Sequence, residues 1–203
     1  MKTILVIGGM GAGKSTARKA LVDQGLEFID LDRVGHDILT WDVVKDDLRE
    51  EFGDDVFNED GSVNRPALAA KAFVTPATTR KLNRITQPRI EELFTEKLDE
   101  LRKKGCQVVV VEYSVFKDRA SSMAYAADVV LAVVAPIELR IKRAVQAGFS
   151  EEDVRHRIAK QITDADRIEQ ADVVFVNDTT KEELYNKVVQ WWNDYKKQEG
   201  IEA

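Results

Sequence analysis

The sequence predicts an α/β fold: a five-stranded parallel sheet with helices on both faces, an inserted helical lobe and a helical lid. Three observations carry that prediction. Five short apolar runs, four of them dense in β-branched residues, are near-continuous rather than alternating, which suits strands covered on both faces. Stretches of helical period separate them, so the pattern is a repeated β-α unit with right-handed crossovers. The gap from about Asp32 to Cys106 far exceeds the roughly dozen residues that a plain crossover needs.

The first run, Ile4–Ile7, leads straight into Gly8-Gly9-Met10-Gly11-Ala12-Gly13-Lys14-Ser15-Thr16 and then the helical stretch Ala17–Asp23. Gly8-x-x-x-x-Gly13-Lys14-Ser15 between a strand and a helix is the pattern of a phosphate-binding loop. Glycines let the backbone turn its N–H groups inward, and together with the helix N-terminus these make a nest for an anion. Gly9, Gly11, Ala12, Gly13, Lys14, Ser15 and Thr16 are therefore the expected nucleotide contacts. Lys14 bridges β- and γ-oxygens, and the Ser15 hydroxyl is the expected Mg²⁺ ligand. ATP with Mg²⁺ is the implied cofactor pair.

The second run, Leu26–Leu31, ends Ile29-Asp30-Leu31-Asp32. Read as strand, Asp30 and Asp32 share a face and project beyond its carboxyl end, where open α/β sheets bind ligands. One carboxylate would then take the acceptor hydroxyl's proton or hold a Mg²⁺-bound water; the competing reading is a helix cap. Past about Phe52 the chain is mostly helical as far as Gly105, an insert beside the sheet. Thr75-Pro76 starts a long helix towards Lys104, with Leu82, Ile85, Leu93, Phe94, Leu98 and Leu101 at helical spacing and Pro88 expected to kink or divide it.

The third run is Gln107–Val111, with the single Cys106 as a small buried residue at its start. After the fourth, Val129–Ala135, Pro136 opens a helix carrying Arg140, Lys142 and Arg143. Beyond Gly148 a second helix, capped by Ser150 with Asp153, carries Arg155, Arg157, Lys160 and Gln161. Two readings stand for these arginines: a lid that closes over the γ-phosphate, or a solvated hairpin. The fifth run, Val173–Val176, ends at Asn177, which either reads the adenine or caps the turn before the final helix. Thr180 with Glu183 caps that helix, and at least one of Trp191 and Trp192 anchors it to the sheet.

The 203 residues suffice for one domain, 1–203, with an inserted helical lobe at about 54–104 and a lid at about 137–163. Thirty basic against 36 acidic residues give a net charge of −6, which argues against nucleic acid or an anionic membrane as the main partner. One cysteine excludes an intramolecular disulfide, and His36 and His156 offer no local ligand pair. The apolar run Ile4–Ile7 is too short for a signal peptide's core, and no run approaches the roughly 20 apolar residues of a bilayer span. The expected protein is cytoplasmic, a monomer or weak homo-oligomer.

Assembled, these residues resemble the dephospho-CoA kinases, a family of the P-loop monophosphate-kinase group. The resemblance runs through Gly8–Thr16, Ile29-Asp30-Leu31-Asp32, Phe52-Gly53, Asp60-Gly61-Ser62-Val63-Asn64-Arg65-x-x-Leu68 with Phe73, Lys142-Arg143, Arg157-x-x-x-Gln161 and Ala171-Asp172-x-x-x-x-Asn177. It implies transfer of ATP's γ-phosphoryl group to the ribose 3′-hydroxyl of dephospho-CoA, the last step of coenzyme A biosynthesis. It further implies Asp32 as base or metal-side carboxylate, Arg143 as a lid arginine, the insert (about 54–104) as the acceptor-binding lobe, and Arg65, Arg80, Arg84 and Arg89 as contacts for the acceptor's pyrophosphate. The chain departs from the family's usual pattern at Ile7 (Thr), Gln87 (His), Tyr113–Lys117 (Pro-Leu-Leu-Phe-Glu) and Ala147 (a second lid arginine). Those departures define the alternatives: another nucleotide or nucleoside acceptor, or nucleotide binding with little catalysis.

Overall fold

Strands β1 (Lys2–Gly8), β2 (Glu27–Asp30), β3 (Val108–Glu112), β4 (Val129–Val134) and β5 (Val173–Val176) form one all-parallel sheet in the order β2-β3-β1-β4-β5. The computed structural model describes residues 1–201, and these divide into two units, one of 1–30 with 100–201 and one of Leu31–Asp99. The second unit thus begins directly after β2, well before the expected start of the insert.

In the first unit, β1 is central, and its residues from Thr3 to Gly8 are all buried. Ile4 and Val6 join Val108 and Val110 of β3 and Val129, Leu131 and Val133 of β4 in one core layer. Helices α1 (Lys14–Val22) and α10 (Lys181–Gln198) cover that layer with Ala17, Ala20, Leu21, Leu184, Val188 and Trp192. Leu5, Ile7, Val109 and Val111, one residue out of phase, point to the opposite face, where α9 (Asp164–Gln170) packs against β1 and β4. Burial on both sides is why these runs are continuous rather than alternating. The edge strands differ: in β2 only Ile29 is buried, and in β5 Val173 and Phe175 reach the core while Val174 and Val176 stay exposed.

Trp192 is the buried anchor of α10, and Trp191 stacks on Tyr195 at 5.2 Å between ring centres. Between β3 and β4 lies the one-turn helix α6 (Ser122–Tyr125), and between β4 and β5 come α7 (Ile137–Gln146) and α8 (Glu151–Ala159) before α9. Ser150 and Thr180 cap α8 and α10 as expected, accepting from Asp153 and Glu183 N–H. A full capping box, Thr163 with Asp166, also starts α9. Cys106 is half-buried beside β3, its thiol donating to Val108 O at 3.1 Å.

The second unit comprises α2 (Leu31–Asp37), α3 (Asp42–Phe52), α4 (Arg65–Ala72) and most of α5 (Pro76–Lys103), with 3₁₀ turns at Ile38–Thr40 and Asp54–Val56. Its own core is Ile38, Val44, Leu48, Phe52, Val56 and Leu68. Asn64 Oδ1 caps α4 by accepting from Ala67 N–H, and Thr75 Oγ1 accepts from Thr78 N–H ahead of α5. Helix α5 runs undivided through Pro88. Leu82 and Ile85 before the proline and Ile90 and Leu93 after it pack into the same core, which outweighs one lost backbone hydrogen bond.

One expectation is corrected here. β2 stops at Asp30, and Leu31, which is buried, already begins α2. Asp32 therefore lies in the first turn of a helix, where its charge complements the helix dipole, and does not share a strand face with Asp30.

Candidate functional site

The carboxyl end of β1 turns at once into the glycine loop, and α1 starts at Lys14. Gly11 (φ +73°) and Gly13 (φ +113°) occupy the left-handed region, so both positions are closed to other residues without strain. Gly13 is the N-cap of α1 and its carbonyl receives Thr16 and Ala17 N–H at 3.0 and 3.2 Å. A Cβ there would stand 2.3 Å from Asn177 Nδ2. Beside the loop lies a cavity of about 210 Å³, lined by Gly9, Gly11, Gly13, Lys14, Ser15 and Thr16 and by Glu112, Arg143, Asn177 and Lys181. Lys14 Nζ donates to Gly8 O at 3.0 Å, which holds the ammonium over the loop. Ser15, exposed in the first turn of α1, lines the same cavity.

Glu112 closes β3 and is the carboxylate of this cavity. Arg18 Nη1 stands 3.3 Å from its Oε2, with the Arg18 guanidinium stacked 4.8 Å above Phe28. Across the sheet Glu112 is in register with Asp30, so two acids meet at the carboxyl ends of β2 and β3. Reading the sequence missed Glu112, although an acid closing an apolar run was the signal that drew attention to Asp30. Lys181, the first residue of α10, gave no sequence signal at all.

Asn177 is 2% exposed. Its Nδ2 donates to Ala12 O at 2.7 Å while its Oδ1 accepts from Arg143 Nη2 at 3.3 Å. The amide thus braces the loop from behind, a third use besides the two that the sequence left open. Arg143 also donates to the carbonyls of Asn177 (2.9 Å) and Thr179 (3.1 Å). These acceptors are neutral, and among the described residues no carboxylate pairs directly with Arg143; Glu112 shares the cavity wall with it. Arg140 is the opposite case: 4% exposed, it is paired with Asp164 at 3.2 Å and donates to Met10 O at 2.9 Å. Arg155 pairs with Glu138 and Glu151, and Arg157 with Asp153, all on the hairpin's exposed surface.

In the second unit, Asp32, Arg65, Arg80 and Arg84 are exposed and Arg89 is half-buried. Arg80 and Arg84 share a face of α5, where Arg84 reaches Glu51 Oε2 at 3.2 Å. Arg89, nine residues beyond Arg80, sits about 180° round the helix and pairs with Glu92 at 3.2 Å. The structure therefore gathers two of the four arginines on one face.

Among the described residues no group of three or more His, Cys, Asp or Glu is arranged to hold a metal, and no helix is long and apolar enough to cross a membrane.

A family model described as dephospho-CoA kinase matches residues 3–183. A dephospho-CoA kinase of Corynebacterium jeikeium is 41% identical over 194 residues, covering 95% of this chain and 98% of that one. A crystal structure from Thermus thermophilus is 25% identical, with a TM-score of 0.81 over 95% of this chain and 97% of the other. A dephospho-CoA kinase from Campylobacter jejuni, at 21% identity, has the same fold with a TM-score of 0.73 over 98% of this chain and all of that one.

Proposed function

The chain belongs to the dephospho-CoA kinase family, and from that membership we propose that it transfers the γ-phosphoryl group of ATP to the ribose 3′-hydroxyl of dephospho-CoA. The observation that carries the reading is the loop cavity, in which the glycine loop, Lys14, Ser15 and Arg143 line one space with Glu112 at its wall. Phosphoryl transfer asks little covalent chemistry of a protein; it needs the phosphates held in line and their charge met.

In this reading the loop amides and Lys14 grip the β- and γ-phosphates. Ser15, with Glu112 in the same cavity, would hold a Mg²⁺ ion, which would supply neutralisation of phosphate charge. Arg143 meets the charge of the moving phosphoryl group from the cavity wall. Asp32 remains the carboxylate that the resemblance implies for the acceptor hydroxyl, and Arg65, Arg80, Arg84 and Arg89 supply positive charge for a polyanionic acceptor. The reading is tested by ADP release with dephospho-CoA as acceptor, in wild type and Lys14→Ala. Acceptor-dependent release that Lys14→Ala abolishes supports it; release with a different nucleoside acceptor alone would move the chain to another substrate.

A further inference from the structure

Between Gly9 and Gly11, Met10 of the phosphate loop is held in three ways. Its N–H donates to Gln161 Oε1 at 3.0 Å. Its carbonyl accepts from Arg140 Nε at 2.9 Å. Its side chain packs into the small core of the α7–α8 hairpin, against Ile141, Ala144, Val154 and Ile158. Arg140 stands in the first half of α7 and Gln161 just past the end of α8, so both roots of the hairpin hold the same residue.

The two polar grips are themselves locked. Arg140 Nη2 reaches Gln161 Oε1 at 3.3 Å, and Nη1 reaches Asp164 Oδ1 at 3.2 Å. Arg167, 2% exposed, donates to the same Oδ1 at 2.7 Å. Two guanidinium groups thus share one carboxylate oxygen, and Asp166 acts on Arg167 as a second carboxylate. The approach is close enough to dictate residue types. A Cβ on Gly9 would fall 1.9 Å from Arg140 Nη2, and one on Gly11 would fall 2.2 Å from the Arg140 backbone oxygen.

We propose that Met10 is the joint through which the α7–α8 hairpin holds the phosphate loop in its phosphate-receiving shape, with Arg140 and Gln161 as positioning residues acting through it. The inference rests on the kinase reading above, because it assigns a use to a loop already taken to bind nucleotide. A loop fixed before the nucleotide arrives loses little further freedom on binding, so the joint raises nucleotide affinity without touching the ligand. Coupling of this kind is reciprocal: nucleotide that steadies the loop also steadies the hairpin.

The test measures amide hydrogen exchange and MgADP affinity in wild type, Arg140→Met and Gln161→Leu. Each variant should speed exchange at residues 9–13 and raise the MgADP dissociation constant roughly tenfold to a hundredfold, the loss expected for a charge-assisted brace. Exchange in β4 should stay at the wild-type rate. MgADP should slow exchange in α8 of the wild type and fail to do so in Arg140→Met. A second arm uses the steric map. Gly9→Ala should cost less affinity in an Arg140→Ala background than in wild type, whereas Gly11→Ala, blocked by backbone, should not be rescued. Unchanged loop exchange and affinity, β4 exchange rising in step with the loop, or equal Gly9→Ala penalties in both backgrounds would each overturn the joint. If wild type fails to bind MgADP the kinase reading falls, and the nucleotide-free exchange of residues 9–13 still decides the joint.

Discussion

Asn177→Ala separates a brace from a base reader. In the structure Asn177 Nδ2 is a buried donor to Ala12 O at 2.7 Å, and Ala12 itself is fully buried. Truncation strands that carbonyl, at a cost of about 1–3 kcal/mol, and leaves a small void worth roughly 0.5–1 kcal/mol more. Arg143 keeps its bonds to the backbone carbonyls of Asn177 and Thr179, so no charge is released into the core. The sum centres near about 2.5 kcal/mol, which lowers Tm by about 5–10 °C in a chain of this size. Thermal unfolding of the purified variant reads this directly, with MgADP and MgGDP titrations alongside. The brace account expects a lower Tm and weaker binding of both nucleotides, since Gly13 and Ala12 lose their support. A Tm within about 1 °C of wild type, together with loss of discrimination between adenine and guanine, would refute it and make Asn177 the adenine contact.

Three further outcomes follow from the same geometry. Glu112→Gln keeps the shape of the cavity wall but removes its charge; turnover should fall by roughly 10² or more while Tm stays close to wild type, as steady-state kinetics and a melt will show. Arg143→Ala should lower turnover by roughly 10³ with a smaller change in KM for ATP, and an equal rise in KM at unchanged turnover would contradict its transition-state role. At Asp172, burial alone would raise the carboxyl's pKa, but the Arg119 fork at 2.8 Å and the Val130 N–H outweigh it, so the pKa lies below the ordinary value. A depressed folded-state pKa stabilises the protein above the unfolded carboxyl's value, near pH 4, and that contribution fades as pH falls through the folded value. The Tm gap between wild type and Asp172→Asn should therefore be present at pH 7 and close below about pH 4; a gap that widens in acid would contradict the assignment.

The parts of this molecule that could be read in advance are those where chemistry or burial constrains adjacent residues. β1, β3 and β4 are buried on both faces, and their valines and isoleucines say so in an unbroken run. The phosphate loop needs glycines, a lysine and a serine at set spacing, which makes it visible without any fold. β5, exposed on one face, alternates in burial although its sequence Val-Val-Phe-Val does not alternate in polarity. The Asp30–Asp32 argument failed at an element boundary: Leu31 is equally at home ending a strand or opening a helix, and local pattern cannot choose. The Met10 joint was invisible for a different reason. Its polar partners lie 130 and 151 residues away, and each is unremarkable on its own helix. Arg140 and Arg143 look alike as lid arginines in the sequence, yet one is a buried strut paired with Asp164 and the other keeps its charge at the cavity wall. Only the fold distinguishes them.

Most directly decisive is the product itself: incubate the protein with MgATP and dephospho-CoA and follow coenzyme A by mass. A phosphate added to the acceptor in step with ADP release, in wild type and not in Lys14→Ala, is the predicted result. ATP bound at the loop with no phosphorylated acceptor formed at any acceptor concentration would contradict the account.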